Sequence, residues 1–144
     1  MARERKQRRK DELLRRDIEI ESIHTFMSLH VMAPKGTEPL IDSSPSLDLR
    51  GRINKPIRNV TELAINVQPK ERPVLGPVRP LPVGSIVHIR PYILAVVTFP
   101  RGEFELLWSM ALSGYARHAH IVFTQPHYGH ALVTNLCLSN ESIE

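Results

Sequence analysis

Four of the seven histidines lie close together near the C-terminal end of the chain. His118 and His120 are two residues apart in a segment that we predict to be a strand, so their side chains should share one face. The other two follow in the turn after that segment. Neutral imidazole is a ligand of Zn, Cu, Fe and Ni, so the spacing indicates a candidate metal site, with a polar strand edge facing solvent as the alternative. The candidate ligands are His118, His120, His127 and His130.

The first 16 residues carry all of the net positive charge of the chain. They contain eight basic and three acidic side chains, whereas the other 128 residues contain 11 basic and 12 acidic ones. Lys and Arg neutralise phosphates and release counterions, so such a segment predicts non-specific contact with nucleic acid or an acidic partner. Residues 1–25 contain no Phe, Tyr or Trp, the side chains that would stack on a base. The candidate contact residues are Arg3, Arg5, Lys6, Arg8, Arg9 and Lys10.

Other motifs give little support for catalysis. The chain has one cysteine, Cys137, so an intramolecular disulfide is excluded. Ser113 lies outside any Gly-x-Ser-x-Gly turn, and the sequence contains no P-loop, GxGxxG, CxxC or HExxH pattern. Pro77-Val-Arg-Pro80 matches a polyproline ligand, with a stiff loop as the alternative. We therefore expect no cofactor and favour a non-enzymatic function over an enzymatic one.

Hydrophobic periodicity in the second half of the chain predicts a strand, a helix and a hairpin. Residues 93–99 are apolar on both faces, which is typical of a strand covered on both sides. Residues 104–112 show an apolar stripe of helical period, ended by Gly114. Residues 117–124 and 131–138 alternate in polarity and flank a turn, so we predict a hairpin. The side chains expected to point inward from its second strand are Leu132, Leu136 and Leu138.

The first half of the chain predicts two further strands, at residues 47–53 and 61–67, because both segments alternate with period 2. Residues 17–33 fit a strand and a helix equally well by period, and we favour the strand, which places Ile23, Met27, Leu29 and Val31 on one face. Residues 34–46 contain three prolines and are predicted to be a loop, as is the proline-rich segment 69–82.

Together these segments predict an α+β protein that is strand-rich. We expect a mostly antiparallel sheet, sandwich-like or barrel-like, with one amphipathic helix packed on it and a basic N-terminal tail. The predicted organisation is a helical or disordered tail at residues 1–16, an arm and loop at 17–46, and a compact domain at 47–139. No apolar run approaches the roughly 18 residues of a spanning helix, and no secretory signal is recognisable. We expect a cytoplasmic protein without membrane contact.

The function favoured by the sequence is a binding or assembly module that contacts a protein partner or a second copy of itself. Its basic tail would supply an electrostatic contact to an acidic partner or nucleic acid. The alternative is a small metal-dependent protein that uses the histidine-rich strand face. A third hypothesis is a nucleic-acid accessory protein that acts through residues 3–16.

Overall fold

Seven strands close into a barrel in the computed structural model of the protein, which describes residues 12–32, 35–36, 40–70 and 82–141. The strands are β1 (Leu13–Met32), β2 (Leu40–Ile57), β3 (Val60–Lys70), β4 (Gly84–His88), β5 (Ile93–Pro100), β6 (His118–Thr124) and β7 (Ala131–Ser139). Their order is β1–β2–β3–β5–β4–β7–β6, and β6 pairs with β1 to close the barrel. Only the β3–β5 pair is parallel among the described strands. The predicted strand-rich α+β class is confirmed, and the sheet is a barrel.

One helix lies in the described part of the chain, α1 (Arg101–Leu112), between β5 and β6. Gly114 follows it with φ 76°, a conformation that glycine adopts easily after a helix end. Phe104 and Ala111 are buried, and the ring of Trp108 lies 5.7 Å from that of Phe104. The helix contacts β3 and β5, and its two buried residues belong to the hydrophobic core. Within the described residues no helix has the length and hydrophobicity needed to cross a bilayer.

The barrel interior is filled by alternate residues of its strands, because successive side chains of a strand point to opposite faces. On β5, for example, Ile93, Ala95 and Val97 are fully buried and the residues between them are half-buried. The largest fully buried side chains are Phe123, Ile18, Leu47, Leu49, Ile65, Ile86, Ile93, Ile121, Val67, Val97 and Val133.

A β-bulge in β1 changes which of its residues face the interior. Ile18 is buried and pairs with Ile53, but the register shifts between Ile20 and Ser22. One extra residue in the strand turns every later side chain to the opposite face. After the bulge, Ile23 is the residue that lies beside the buried Leu49. Residues 17–32, whose period fitted a strand and a helix equally well, therefore lie in a strand. Its inward-facing residues are even-numbered before the bulge and odd-numbered after it.

A second bulge, in β7, overturns one predicted core residue. Val122 pairs with Asn135 and Phe123 pairs with Val133, so Thr134 is the extra residue. Before Thr134 the odd-numbered residues of β7 face the barrel interior, and after it the even-numbered residues do. Val133 is therefore buried and Leu132, which was predicted to point inward, is 50% exposed. The predicted inward positions of Leu136 and Leu138 are confirmed, since both are buried.

The N-terminal part of the chain contributes more strand than predicted. β1 begins at Leu13, within the segment predicted to be a tail, and β2 begins at Leu40, within the predicted loop. Pro45 is accommodated in β2 because β3 pairs with β2 only from Leu47 onward, so the proline lies on an edge. The predicted division into tail, arm and compact domain, and the tail contacts from Arg3 to Lys10, stay predictions, since residues 1–11 lie outside the described part.

Candidate interaction site

The hairpin of β1 and β2 extends beyond the barrel as a two-stranded arm. β6 pairs with β1 only over Leu13–Glu19, and β3 pairs with β2 only from Leu47 onward. Residues 26–32 and 40–46, here called the hairpin arm, pair with each other, and no other described strand pairs with them. Seven residues of strand span about 23 Å. The arm is continuous with the barrel strands, since β1 runs over Leu13–Met32 and β2 over Leu40–Ile57.

One face of the hairpin arm continues the apolar lining of the barrel into solvent. Thr25 pairs with Leu47, which is fully buried, so both residues lie on the core side of the sheet. Alternation places the next odd-numbered residues of β1 on that same side. Met27, Leu29 and Val31 are 57%, 66% and 70% exposed. We call these three side chains the inner arm face.

The opposite face of the hairpin arm is also partly apolar, since Phe26 is more than half exposed there. The β1 segment 22–33 contains no Asp, Glu, Lys or Arg. Natural edge strands are commonly protected from association by charged side chains. The β1 strand of the arm lacks this protection.

The structure separates the four candidate histidine ligands into two pairs. His118 and His120 are half-buried on the outer face of β6. His127 and His130 lie beyond the C-terminal end of that strand, where their backbones pair in an isolated β-bridge. Among the described residues no three His, Cys, Asp or Glu side chains are grouped so that they could hold a metal ion. The metal hypothesis for these four residues stays a prediction.

Three residues with reactive side chains stand in register across β1, β6 and β7, a relation that sequence reasoning missed. His120 pairs with Asp17 on one side and with Cys137 on the other. Residues directly opposite each other share a face. The Nδ1 atom of His120 is buried and has no hydrogen-bond partner in the described structure, and the Cys137 thiol lies 4.0 Å from the carbonyl oxygen of Leu138. The row therefore lacks the contact between base and thiol that nucleophilic catalysis requires.

A cleft of about 230 Å³ lies beside the β1 bulge, lined by residues of β1, β2 and β3, and its charges are balanced. Arg50, Arg52, Glu21 and Glu62 line it, and the Nε of Arg52 lies 3.0 Å from an Oε of Glu21. Ion pairs of this exposed type stabilise a fold by less than about 1 kcal/mol. The cleft therefore has no excess charge with which to attract an ionic ligand.

Comparisons of the chain with protein-family models, with curated proteins and with solved structures give no match. The candidate site is thus defined by this chain's own residues. Sequence reasoning assigned Met27, Leu29 and Val31 to one face of a strand, and the alternation was the signal for it. It missed that the barrel ends before these residues, because strand pairing between distant segments leaves no local pattern.

Proposed function

We propose that the protein is a non-enzymatic assembly module that binds a second copy of itself through the hairpin arm. The inner arm face supports this most directly, because Met27, Leu29 and Val31 extend the barrel lining into solvent. Apolar area of this kind is the main source of favourable free energy in association. The basic tail serves in the same proposal as an electrostatic contact to an acidic partner or nucleic acid.

A second copy fits the arm because the exposed edge of β1 can pair with itself. Beyond Ile20, the side of β1 that faced β6 has no described strand beside it. Two identical edges related by a two-fold axis run antiparallel, which allows backbone hydrogen bonds in both directions. The β1 segment 22–33 has no charged side chain, so no like charges are brought together across the axis.

The apolar area available supports a specific dimer of modest size. The three side chains of the inner arm face are each more than half exposed. Burying three such side chains removes on the order of 300 Å² of apolar surface per copy, before any backbone area is counted. Specific interfaces bury about 800 Å² per partner in total. The inner arm face therefore supplies about a third of that area, and the paired backbone adds to it.

The self-association proposal predicts that Leu29→Lys separates the dimer without unfolding the barrel. Two lysines would enter one apolar interface, and the burial of two leucines would be lost, at about 1.5–3 kcal/mol each. We expect the dimer dissociation constant to rise at least 100-fold, measured by sedimentation equilibrium. Circular dichroism should be unchanged, because Leu29 is exposed in the single chain.

The matched control is Leu106→Lys on α1. Leu106 is 67% exposed, against 66% for Leu29, and lies outside the hairpin arm. It should leave the dimer constant unchanged. A wild-type protein that stays monomeric at high micromolar concentration, or an equal effect of both variants, would contradict the proposal.

The basic tail predicts salt-dependent binding to nucleic acid. With six Lys/Arg contacts, affinity for random-sequence duplex DNA should fall on the order of 10³-fold between 50 and 200 mM salt. Fluorescence anisotropy with the full chain measures this directly. Removing residues 1–11, which leaves all of β1 in place, should abolish the binding. Equal affinity of the shortened chain would show that the tail is not the contact.

A further inference from the structure

Two tight hairpin turns of unusual composition lie at one end of the barrel. Arg58 and Asn59 connect β2 to β3, and Tyr128 and Gly129 lie between His127 and His130. All four central residues have positive φ, at 49°, 67°, 51° and 79°. This geometry matches the type I′ turn, whose central positions favour Asn, Asp and Gly.

Arg58 and Tyr128 are the residues that do not suit these turns. Each occupies the first central position, where a bulky L side chain is held in a strained backbone conformation. Strain of this kind persists where the surrounding structure fixes it, and it concentrates at binding and catalytic sites. Both residues line the same cleft, so the two strained positions converge on one place.

The cleft lies where two neighbouring strands of the barrel stop pairing. β4 pairs with β7 only through Gly84–Ile86, and after Ile86 the strands diverge. The space left beside the Tyr128 turn has a volume of about 270 Å³. We call it the rim cleft. The polar side chains that line it are those of Arg58, His88, Arg90, Tyr128 and His130.

The rim cleft is cationic and its residues are held in place. Two guanidinium groups line it, and no carboxylate occurs among its described lining residues. Arg90 donates a hydrogen bond from Nη2 to the carbonyl oxygen of Arg58 at 2.9 Å, which ties the two arginines together. The Nδ1 atom of His88 lies 2.9 Å from the carbonyl oxygen of Tyr92. Because a carbonyl only accepts, this Nδ1 carries the proton and Nε2 is the nitrogen left for a ligand.

We propose that the rim cleft binds a nucleotide, with the phosphate between Arg58 and Arg90 and the base on the ring of Tyr128. Guanidinium groups present paired donors whose geometry matches phosphate oxygens. The Tyr128 side chain is 87% exposed, and an exposed aromatic ring at the edge of a cationic cleft is a stacking surface for a base. The cleft volume suits a phosphate and a sugar, with the base left at the mouth.

The rim cleft adjoins a second cleft. Val87 and His130 also line a second, wider cleft of about 510 Å³, which Thr124 and Gln125 border as well. Because the two clefts adjoin, two ligands present the same phosphate to the rim cleft. One is a free nucleotide, and the other is the 5′ end of a nucleic-acid single strand that continues into the wider cleft. This site is independent of the hairpin arm and of the proposed dimer.

The first test is Arg58→Asn, measured by calorimetric titration of the full chain with AMP. Asparagine fits the turn better than arginine but has no charge. We expect AMP affinity to fall at least 10-fold while the melting temperature stays equal or rises. Wild-type protein should bind AMP and inorganic phosphate and should bind adenosine much more weakly. The matched control is Arg117→Gln, since Arg117 is exposed, carries the same charge and precedes β6 at its opposite end.

The second variant, Tyr128→Ala, separates the two halves of the proposed site. It should lower AMP affinity by about 10-fold, because stacking on the base is lost, and leave the affinity for inorganic phosphate unchanged. No AMP binding by wild type at millimolar concentration would overturn the proposal. So would an equal loss in Arg117→Gln, full affinity in Arg58→Asn, or AMP binding that Tyr128→Ala leaves intact.

The source of the phosphate is decided with a 5′-phosphorylated dinucleotide. Tighter binding than AMP, with the gain lost in Arg58→Asn, identifies a strand end as the ligand. Affinity equal to that of AMP identifies the free nucleotide. Both results support the cleft as a site.

Discussion

Replacing Gly51 by alanine is expected to lower the free energy of unfolding by about 3 kcal/mol. Gly51 pairs with Ile20 beside the β1 bulge and with Leu63 on its other side. A Cβ atom there would lie 2.1 Å from the carbonyl oxygen of Glu19, so the backbone of β1 has to move. Overpacking in a rigid site typically costs about 1–3 kcal/mol, and the obstacle here is backbone rather than a flexible side chain. Urea unfolding of both proteins measures the difference.

Gly102→Ala is the control for this substitution. Gly102 is exposed in the first turn of α1, and an added Cβ would meet no atom within 4 Å. Alanine is a better helix former than glycine, so this change should be neutral or should stabilise the protein by up to about 1 kcal/mol. Similar destabilisation by both substitutions would mean that the close approach of β1 and β2 at Gly51 does not exist.

Phe123→Ala is expected to cost about 3–5 kcal/mol. Phe123 is fully buried on β6, the strand that closes the barrel against β1. Its removal loses the transfer free energy of the ring and leaves a cavity between strands that cannot collapse freely. The measurement is chemical unfolding with an unchanged m-value, which shows that the denatured state is not altered.

Leu132→Ala distinguishes the structure from the alternation in the sequence. Leu132 lies on β7 and was predicted to face inward, but the bulge at Thr134 leaves it half exposed. Truncation should therefore cost below about 1 kcal/mol. A loss close to that of Phe123→Ala would show that β7 is regular and that the bulge is absent.

The elements that could be predicted from the sequence are those with local signals. Residues 61–67 alternate in polarity and lie in β3, and residues 118–124 of the predicted strand 117–124 form β6. The switch of parity after Ile20 could not be predicted, because a bulge depends on the partner strand rather than on the residues themselves. The strand through Pro45 was missed for a related reason, since proline is excluded from central strands and tolerated at an edge.

The candidate sites could be predicted from local sequence signals even less well than the strands. Alternation placed Met27, Leu29 and Val31 on one face, but only the positions where barrel pairing stops show that this face is exposed. The rim cleft brings Arg58 together with Tyr128, 70 residues later in the chain. A local signal did exist, since Arg58-Asn59 lies between two alternating segments. It was weak because arginine is not a typical turn residue.

The pairing of β1 with β6 has a consequence for synthesis of the protein. The edge of β1 that pairs with β6 waits uncovered until residues 118–124 have left the ribosome. At about 5–20 residues per second, that wait lasts roughly 5–20 s. Pairing between such distant segments also makes folding slow, because the long intervening chain must be ordered first. Nascent chains on one messenger therefore present uncovered β1 edges to each other before any barrel is complete.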